Sequence, residues 1–405
     1  MKLAVFAIDL PYPPNHGGRA DIWRRLLQWR SRGVGVALTC WVDGTPDPEA
    51  LRVVRDCVHE LRVYPIRRGA REALVRALML PWAPSHVAAR RLAFRERNEL
   101  QRALVQFAPD AVWIDSVYPA RTAMSIARAL KRPFFLRSHN IEHRYIARQA
   151  RTAQRLRDAL VWRIATIGLE RFELSVMREA RFVFDVSMDD AQYWRSRGIQ
   201  HIRQLLPLPG IAADRAGTRP GERTREVVFL GNLSTPNNID GVEWLLRRVR
   251  PIVQAQRPGT QWTLAGSRPA SPVRQLVAES GVELLSDIGD TESLLFSASV
   301  LVNPVRSGSG VMVKMLDMLM TDAPIVSCPQ GLSGLPPAVR SAVRMEATEQ
   351  GFAQAILEAL RGDCVQIPER ERARALLWAN ADVQLLDELE RLLMLVESDW
   401  VPAHE

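Results

Sequence analysis

Lysine is nearly absent from this chain: its 405 residues include three, Lys2, Lys131 and Lys314, against 51 arginines. A compact ammonium in place of an arginine fork is therefore an unusual choice wherever it occurs. Cysteine is scarce as well. The four, at positions 40, 57, 328 and 364, show neither metal-ligand spacing nor a tight disulfide framework, which argues against a structural zinc and for a reducing compartment. No stretch of about 18 uninterrupted apolar residues occurs, so no segment is expected to span a bilayer. The opening MKLAVFAIDL is broken by Asp9 and reads as a first strand, not a signal peptide. The GxGxxG fingerprint is missing, which leaves NAD or FAD without support.

What is present suits a soluble chain with two cores: 47% apolar residues and a net charge of +9. The basic excess is concentrated between Arg67 and Arg102, where nine arginines interleave with Leu74, Val75, Leu78, Met79, Leu80 and Trp82. Such a mixture fits an anionic membrane surface or, equally, ordinary solvated helices. Nucleic acid is not expected, because no binding motif or stacking pattern accompanies the charge.

Short apolar runs alternate with amphipathic stretches throughout, the pattern of an α/β protein with parallel sheets. Strands are expected at Leu3–Ile8, Val34–Trp41, Leu61–Pro65, Ala111–Asp115, Pro133–Arg137 and Phe182–Val186. Helices are expected at Ala20–Ser31 and Leu156–Glu179. Periodicity lapses at 207–226, where proline, glycine and charge indicate a linker. A second series follows at Val227–Leu230, Gln261–Ala265, Val282–Leu285, Val300–Val302 and Pro324–Ser327. The boundaries are 1–206, linker 207–226, 227–366, and a helical tail 367–405 whose periodic part runs from Glu369 to Val396. Ligands of doubly wound domains bind beyond the carboxyl ends of the strands, so the expected site is a cleft between the two.

Polar loops follow those strands. The most informative is SVLVNPVRSGSGVMVKMLDMLMTDAPIVS, residues 299–327: a strand, a turn with Gly308 and Gly310, a helix with Lys314 and Asp317, and a second strand. Unpaired N–H groups at that helix's start, expected near residue 310, suit a phosphate. Lys314 and Asp317 share a face, placing a cation for phosphate beside a carboxylate for ribose hydroxyls. Gly17 and Gly18, after a proline-rich loop, allow close backbone approach at a helix entrance. The strand ending in Arg137, Ser138, His139, Asn140 and Glu142 carries polar groups where a ligand would lie, with His143 one helical step away. In FLGNLSTPNNID, Gly231 ends a strand and Asn232, Ser234, Asn237 and Asn238 precede a helix expected near Ile239, as ligands or as caps. Gly266, Ser267 and Arg268 repeat the device.

Taken together, the PYPPNHGG loop at 11–18, RSHNIE at 137–142, FLGNLSTPNNIDGVEWL at 229–245 and PVRSGSGVMVKMLDMLMTDAPIVS at 304–327 resemble the retaining glycosyltransferases of family 4. The likeness is to a branch found among bacterial exopolysaccharide enzymes. It implies a GT-B fold, two Rossmann-like domains facing a central cleft with a C-terminal helix packing back across them. It implies an acceptor-binding first half, with Asn15, Arg137, Asn140 and Glu142 at the acceptor, and a second half binding a UDP- or GDP-sugar. Lys314 and Arg306 would hold the diphosphate, Asp317 the ribose, and His139 with Gly17 and Gly18 the donor sugar and phosphate. Gly231, Asn232, Asn238, Gly266, Ser267, Ser309, Gly310 and Val311 would complete the donor pocket. No metal or further cofactor is implied, and no Asp-x-Asp motif occurs.

This sequence departs from the family's pattern at three places, one of them Leu319 and Met320, which stand where two smaller residues are frequent. Ser309 and Asp317 stand where a Glu pair eight apart is common, and Asn232 with Asn237–Asn238 replaces the usual basic pair. The expected activity is transfer of a hexose to a lipid-linked or growing saccharide in the cytoplasm, at the inner membrane face. A sugar-nucleotide epimerase and a catalytically silent membrane-associated binding protein are the alternatives.

Overall fold

The computed structural model describes every residue except 154, 218–222, 309, 364–366, 382 and 395–405. Ser309, Cys364 and the last two residues of the expected tail helix therefore lie outside the described residues. Apolar runs become strands because most are buried along their length: Leu3 to Ala7 and Ala111 to Ile114 are at most 1% exposed, while the edge strands Glu60–Pro65 and Glu283–Ser286 are only partly buried. In the first sheet the strands are β1 (Lys2–Ala7), β2 (Gly35–Val42), β3 (Glu60–Pro65), β4 (Ala111–Asp115), β5 (Phe134–Ser138), β6 (Phe182–Asp185) and β7 (Ile202–Gln204). They lie in the order β3-β2-β1-β4-β5-β6-β7, all parallel.

The second sheet holds β8 (Arg225–Leu230), β9 (Trp262–Gly266), β10 (Glu283–Ser286), β11 (Ala298–Asn303), β12 (Ile325–Ser327) and β13 (Arg344–Met345). Their order is β10-β9-β8-β11-β12-β13, again all parallel. Each order reverses once, between β1 and β4 and between β8 and β11. At such a switch point neighbouring crossovers leave on opposite faces and a crevice opens at the strands' carboxyl ends. The loops after β8 and β11 are the 231–235 and 304–312 segments, and the loop after β4 begins at Ser116.

Two compact units result, one comprising Met1–Pro14, Gly18–Leu205 and the C-terminal helix, the other Asn15–Gly17 with Leu206–Ala381. Leu208 and Ile211, inside the stretch read as linker, are buried, and Ile211 joins the second core with Leu206.

Several expectations change. The Leu156–Glu179 helix is two, Leu156–Thr166 and Leu169–Glu179, interrupted at Gly168, whose φ of 72° lies in the left-handed region that glycine adopts without strain. Two short edge strands, β7 and β13, went unread because each carries an arginine and spans three residues or fewer. The tail is also two helices. Ile367–Ala381 inserts Ala373 and Leu377 into the second unit's core, whereas Val383–Met394 places Leu385 and Leu389 in the first unit's, beside Ile22 and Leu26. Leu389→Ala should therefore lower stability by about 2–5 kcal/mol, the usual cost of a truncated core leucine. Denaturant unfolding followed through the first unit tests this, and a loss near zero would mean the helix does not belong to that core.

Candidate active site

In the second unit the crevice loops converge on Lys314. The segment from Arg306 to Met312 turns through Gly308 (φ 142°) and Gly310 (φ 73°), conformations closed to most side chains. The helix that follows is Val313–Leu319, seven residues, which corrects the expected start near 310. Two turns sum to only a modest dipole, so positive charge at this place comes mainly from Lys314 itself. Its ammonium donates to Asn238 Oδ1 (3.3 Å) and lies 4.4 Å from the centroid of the Phe229 ring. Among the described residues no carboxylate pairs with it. Although the side chain keeps some solvent contact, burial of the charged end lowers its pKa to about 7.

Asn238 is what aims Lys314. Its amide nitrogen donates to Asn232 O (2.8 Å) and Thr235 Oγ1 (2.9 Å), which leaves its oxygen for the lysine. The helix carrying it starts at Pro236, three residues before the expected Ile239. Asn232 accepts from Ser234 N (3.0 Å) and Oγ (2.7 Å), closing the turn after β8. Gly231 and Gly266 are required by proximity: a Cβ at Gly266 would fall 1.7 Å from Gly231 O, and one at Gly231 would fall 3.1 Å from the Asn238 amide. Ser267 bonds through its backbone oxygen to Leu233 N, and Arg268 (φ 49°) donates its N–H to Asp287.

Arg306 and Asp317 are engaged elsewhere. Arg306 pairs with both Asp240 oxygens (3.1 and 3.3 Å) and sits 5.4 Å from the Trp244 ring, on a largely open surface. Asp317 accepts from Gly210 N at 2.6 Å, fixing the chain as it enters this unit. Gly310 and Val311 lie in the loop just before Lys314; Ser309 is outside the described residues.

In the first unit the carboxyl ends of β4, β5 and β6 carry a buried ionic network that the sequence reading found only in part. Arg137, fully buried, donates to Asp21 Oδ2 through Nε (2.9 Å) and Nη2 (2.7 Å) and to Leu205 O through Nη1 (2.6 Å). Arg25 closes on Asp21 Oδ1 at 3.4 Å. Burial alone would raise the Asp21 pKa, but Arg137, Arg25 and His139 outweigh it and hold the carboxyl down to about 2. Arg137 is thus committed to the interior rather than to a ligand. His139 hydrogen-bonds Asp115 through Nε2, and its Nδ1 lies 3.9 Å from Asp21. Burial opposes a charged ring there, yet Asp115 and Asp21 raise its pKa above the ordinary histidine value.

Ser116, next in the chain, holds φ at 78° with its hydroxyl buried and without a partner among the described residues, a strained position of the kind found where function over-determines the backbone. Asp185 at the end of β6 is pushed up to about 7 by burial and by Asp190. Glu142 accepts from Tyr118 (2.6 Å), and burial raises it to about 7. Asn140 hydrogen-bonds Glu142. His143 is architectural: Glu173, fully buried, accepts from its Nδ1 (2.7 Å) and from the backbone N–H of Glu142 and His143, capping their helix. Asn15 has a buried, unpartnered amide oxygen, and Gly17 opens the helix Gly17–Ser31, with Gly18 in its first turn.

Asp21, Arg25, Asp115 and Asp185 were missed, the first two because nothing local marks them. A carboxylate at the end of an apolar strand was the available signal for Asp115 and Asp185.

The two units are the two doubly wound domains of a GT-B fold, and solved structures share that fold along nearly the whole chain. TarM of S. aureus superposes with a TM-score of 0.66 at 8% identity, covering 97% of this chain and 98% of its own. The Anabaena protein HepE in complex with UDP-glucose superposes with a TM-score of 0.61 at 13% identity, covering 98% and 100%. Within that class, residues 224–362 match the family described as Glycosyl transferases group 1. The glycosyltransferase group 1 match is thus confined to residues 224–362, and with it the chain is an enzyme of the glycosyltransferase class. It is also similar, at 24% identity over 348 residues, to an uncharacterized 44.6 kDa protein in the cps region of Klebsiella pneumoniae, covering 82% of this chain and 84% of that one.

The Lys314 environment has a measurable signature in the free protein. Between pH about 7 and the ordinary lysine value of 10.5, the unfolded chain holds the Lys314 proton and the folded protein does not. Stability contributed at this position therefore rises with pH across that window and is lowest below it, by up to about 1.4 kcal/mol per pH unit. Lys314→Met should unfold at higher denaturant than wild type at pH 6, with the gap narrowing steadily as pH rises from about 7 toward 10.5. A gap that does not change with pH would show that Lys314 is not desolvated.

Proposed function

We propose that the protein is a retaining hexosyltransferase that takes its sugar from a nucleotide diphosphate donor, a UDP- or GDP-sugar. In this reading the acceptor is a lipid-linked or growing saccharide of a cell-surface polysaccharide, met at the inner face of the cytoplasmic membrane. One observation carries the reading: an ammonium held by Asn238 and Phe229, with no carboxylate among the described residues to neutralise it, inside a glycosyltransferase group 1 domain. A cation placed so is short of an anion, and a diphosphate supplies one. The UDP-glucose held by HepE and the cps-region relative support the donor and the pathway class.

Transfer needs the nucleotide diphosphate to leave an anomeric carbon. Negative charge grows on the departing phosphate as the sugar becomes oxocarbenium-like, and Lys314 acts where that charge develops. Its proton is held at a pKa near 7 in the free protein and is gained fully once phosphate oxygens approach. Arg306 reaches the phosphates by leaving Asp240, and Asp317 takes the ribose hydroxyls by exchanging its bond to Gly210. The remaining donor contacts are assigned to Gly231, Asn232, Gly266, Ser267, Ser309, Gly310 and Val311. Retention follows from attack on the face the phosphate leaves, with the phosphate accepting the acceptor's proton. His139 meets the donor sugar together with the Gly17–Gly18 loop, while Asn15, Asn140 and Glu142 serve the acceptor and Arg137 holds Asp21 in place.

Epimerisation of a sugar nucleotide is the second reading. Glu142 favours it, being a carboxyl raised to about 7 and so able to give or take a proton near neutrality. Donor incubated without acceptor separates the two: a new epimer favours epimerisation, and intact donor with slow hydrolysis favours transfer.

The binding test is thermal stabilisation by UDP, GDP, ADP and dTDP. One of them at about 100 times its dissociation constant should add roughly 2.7 kcal/mol to wild type and little to Lys314→Met. Calorimetry at pH about 8 in buffers of different ionisation enthalpy should show net proton uptake on binding, lost in the variant. Stabilisation of both proteins alike would remove Lys314 from the site.

A further inference from the structure

The helix Leu156–Thr166 is turned the wrong way for a core element. Leu156, Leu160, Ile164 and Ile167 recur at intervals of four, four and three, the stripe by which an amphipathic helix faces its core. Here that stripe faces outward: Leu156 is 91% exposed, Leu160 59%, Ile164 39% and Ile167 50%, and the residue the helix buries is Ala165. Beside it, the helix Ala70–Met79 buries none of its residues, with Leu74 and Leu78 exposed and Trp82 just beyond it 73% exposed. The two strips are neighbours. Gly168 approaches Leu80 O (3.9 Å from an added Cβ), and His86 stacks on Trp162 at 6.0 Å between them.

Charge identifies the occupant. Within the Arg67–Arg102 segment several arginines are spent internally: Arg67 on Glu96, Arg68 on Asp43 and Arg91 on Glu72. Exposed Arg71 on one strip, and exposed Arg155, Arg157 and Arg163 on the other, flank the apolar side chains instead. We propose that these two strips together form a docking surface for an anionic lipid bilayer, with Trp82, Leu156 and Leu160 entering the acyl boundary and the flanking arginines reaching lipid phosphates. A second copy of this chain would bring like charges together around the same patch, whereas an anionic bilayer presents the complementary sign. The patch is independent of the Lys314 site, so failure of the surface and failure of the transferase reading are separable.

Co-sedimentation of the full chain with phosphatidylcholine vesicles, with and without phosphatidylglycerol, tests it. Wild type should sediment with the anionic vesicles, less so as salt is raised, and hardly at all with phosphatidylcholine alone. Leu160→Ser with Ile164→Ser should lower partitioning about tenfold or more, since apolar insertion supplies much of the affinity. Arg157→Gln with Arg163→Gln should weaken binding and flatten its salt dependence. All four positions are exposed, so unchanged melting curves are expected and would confirm intact folds. The proposal is overturned if wild type stays in the supernatant with anionic vesicles or if the serine variant binds as wild type does. It is equally overturned if the serine changes abolish a concentration-dependent dimer in sedimentation velocity while vesicle binding is absent.

Discussion

A parallel strand cannot be joined to its neighbour by a tight turn; the chain must cross over and start again from the same edge. Every strand described here is parallel to its neighbours, so each sheet sends all its carboxyl ends to one edge. Much of the chemistry follows from that constraint. Asp115, Ser138, His139 and Asp185 share an edge because they end β4, β5 and β6, although nothing in the sequence sets them side by side. Gly231, Gly266 and Asn303 share the corresponding edge of the second sheet, and the close approach of Gly266 to Gly231 O is what lets β8 and β9 end level with each other.

The two edges handle charge in opposite ways. In the first unit, Asp21 and Asp115 face Arg25, Arg137 and His139, an arrangement close to neutral when the histidine is deprotonated. Each buried charge has a partner of opposite sign, and removal of Asp21 would leave the buried Arg137 without its carboxylate. In the second unit Lys314 is left with an amide oxygen and an aromatic face. Neutral groups orient an ammonium without satisfying it. The Asn232–Thr235–Asn238 arrangement is therefore better understood as a mount for the lysine than as a substitute for basic residues.

Much of the fold was legible because strand burial writes itself as apolar runs, and all but two strands were read to within a few residues. The errors have specific causes. Helical patterning continues on both sides of Gly168, so Leu156–Glu179 read as one helix where the glycine divides it into two. Edge strands such as β13 bury little and leave no apolar run. In the second unit the candidate residues were legible where they are local, Lys314 and Asp317 on one helix and Asn232 to Asn238 in one loop, while the contact that joins Lys314 to Asn238 spans 76 residues. The ionic network was not, because Arg137 and Asp21 stand 116 residues apart and no periodicity connects them.

The rarity of lysine becomes intelligible at position 314. An arginine buried in a protein stays charged and must find acceptors, as the others do: Arg137 on Asp21 and Leu205 O, Arg370 on the carbonyls of Thr321, Ala323 and Ala342. Arg25, buried beside Asp21, falls only to about 10 and remains protonated at neutral pH. A lysine has another way out, since it can release its proton. At a pKa of about 7, Lys314 tolerates burial without a counter-charge and still becomes a full cation when an anion arrives. An arginine at this position would either draw in a carboxylate, which would occupy the place an anion needs, or carry the whole desolvation cost in the free protein. On the proposed reading, a site that is empty part of the time and binds an anion the rest of it calls for the basic side chain that can stand neutral, and in this chain that role would fall on one of only three lysines.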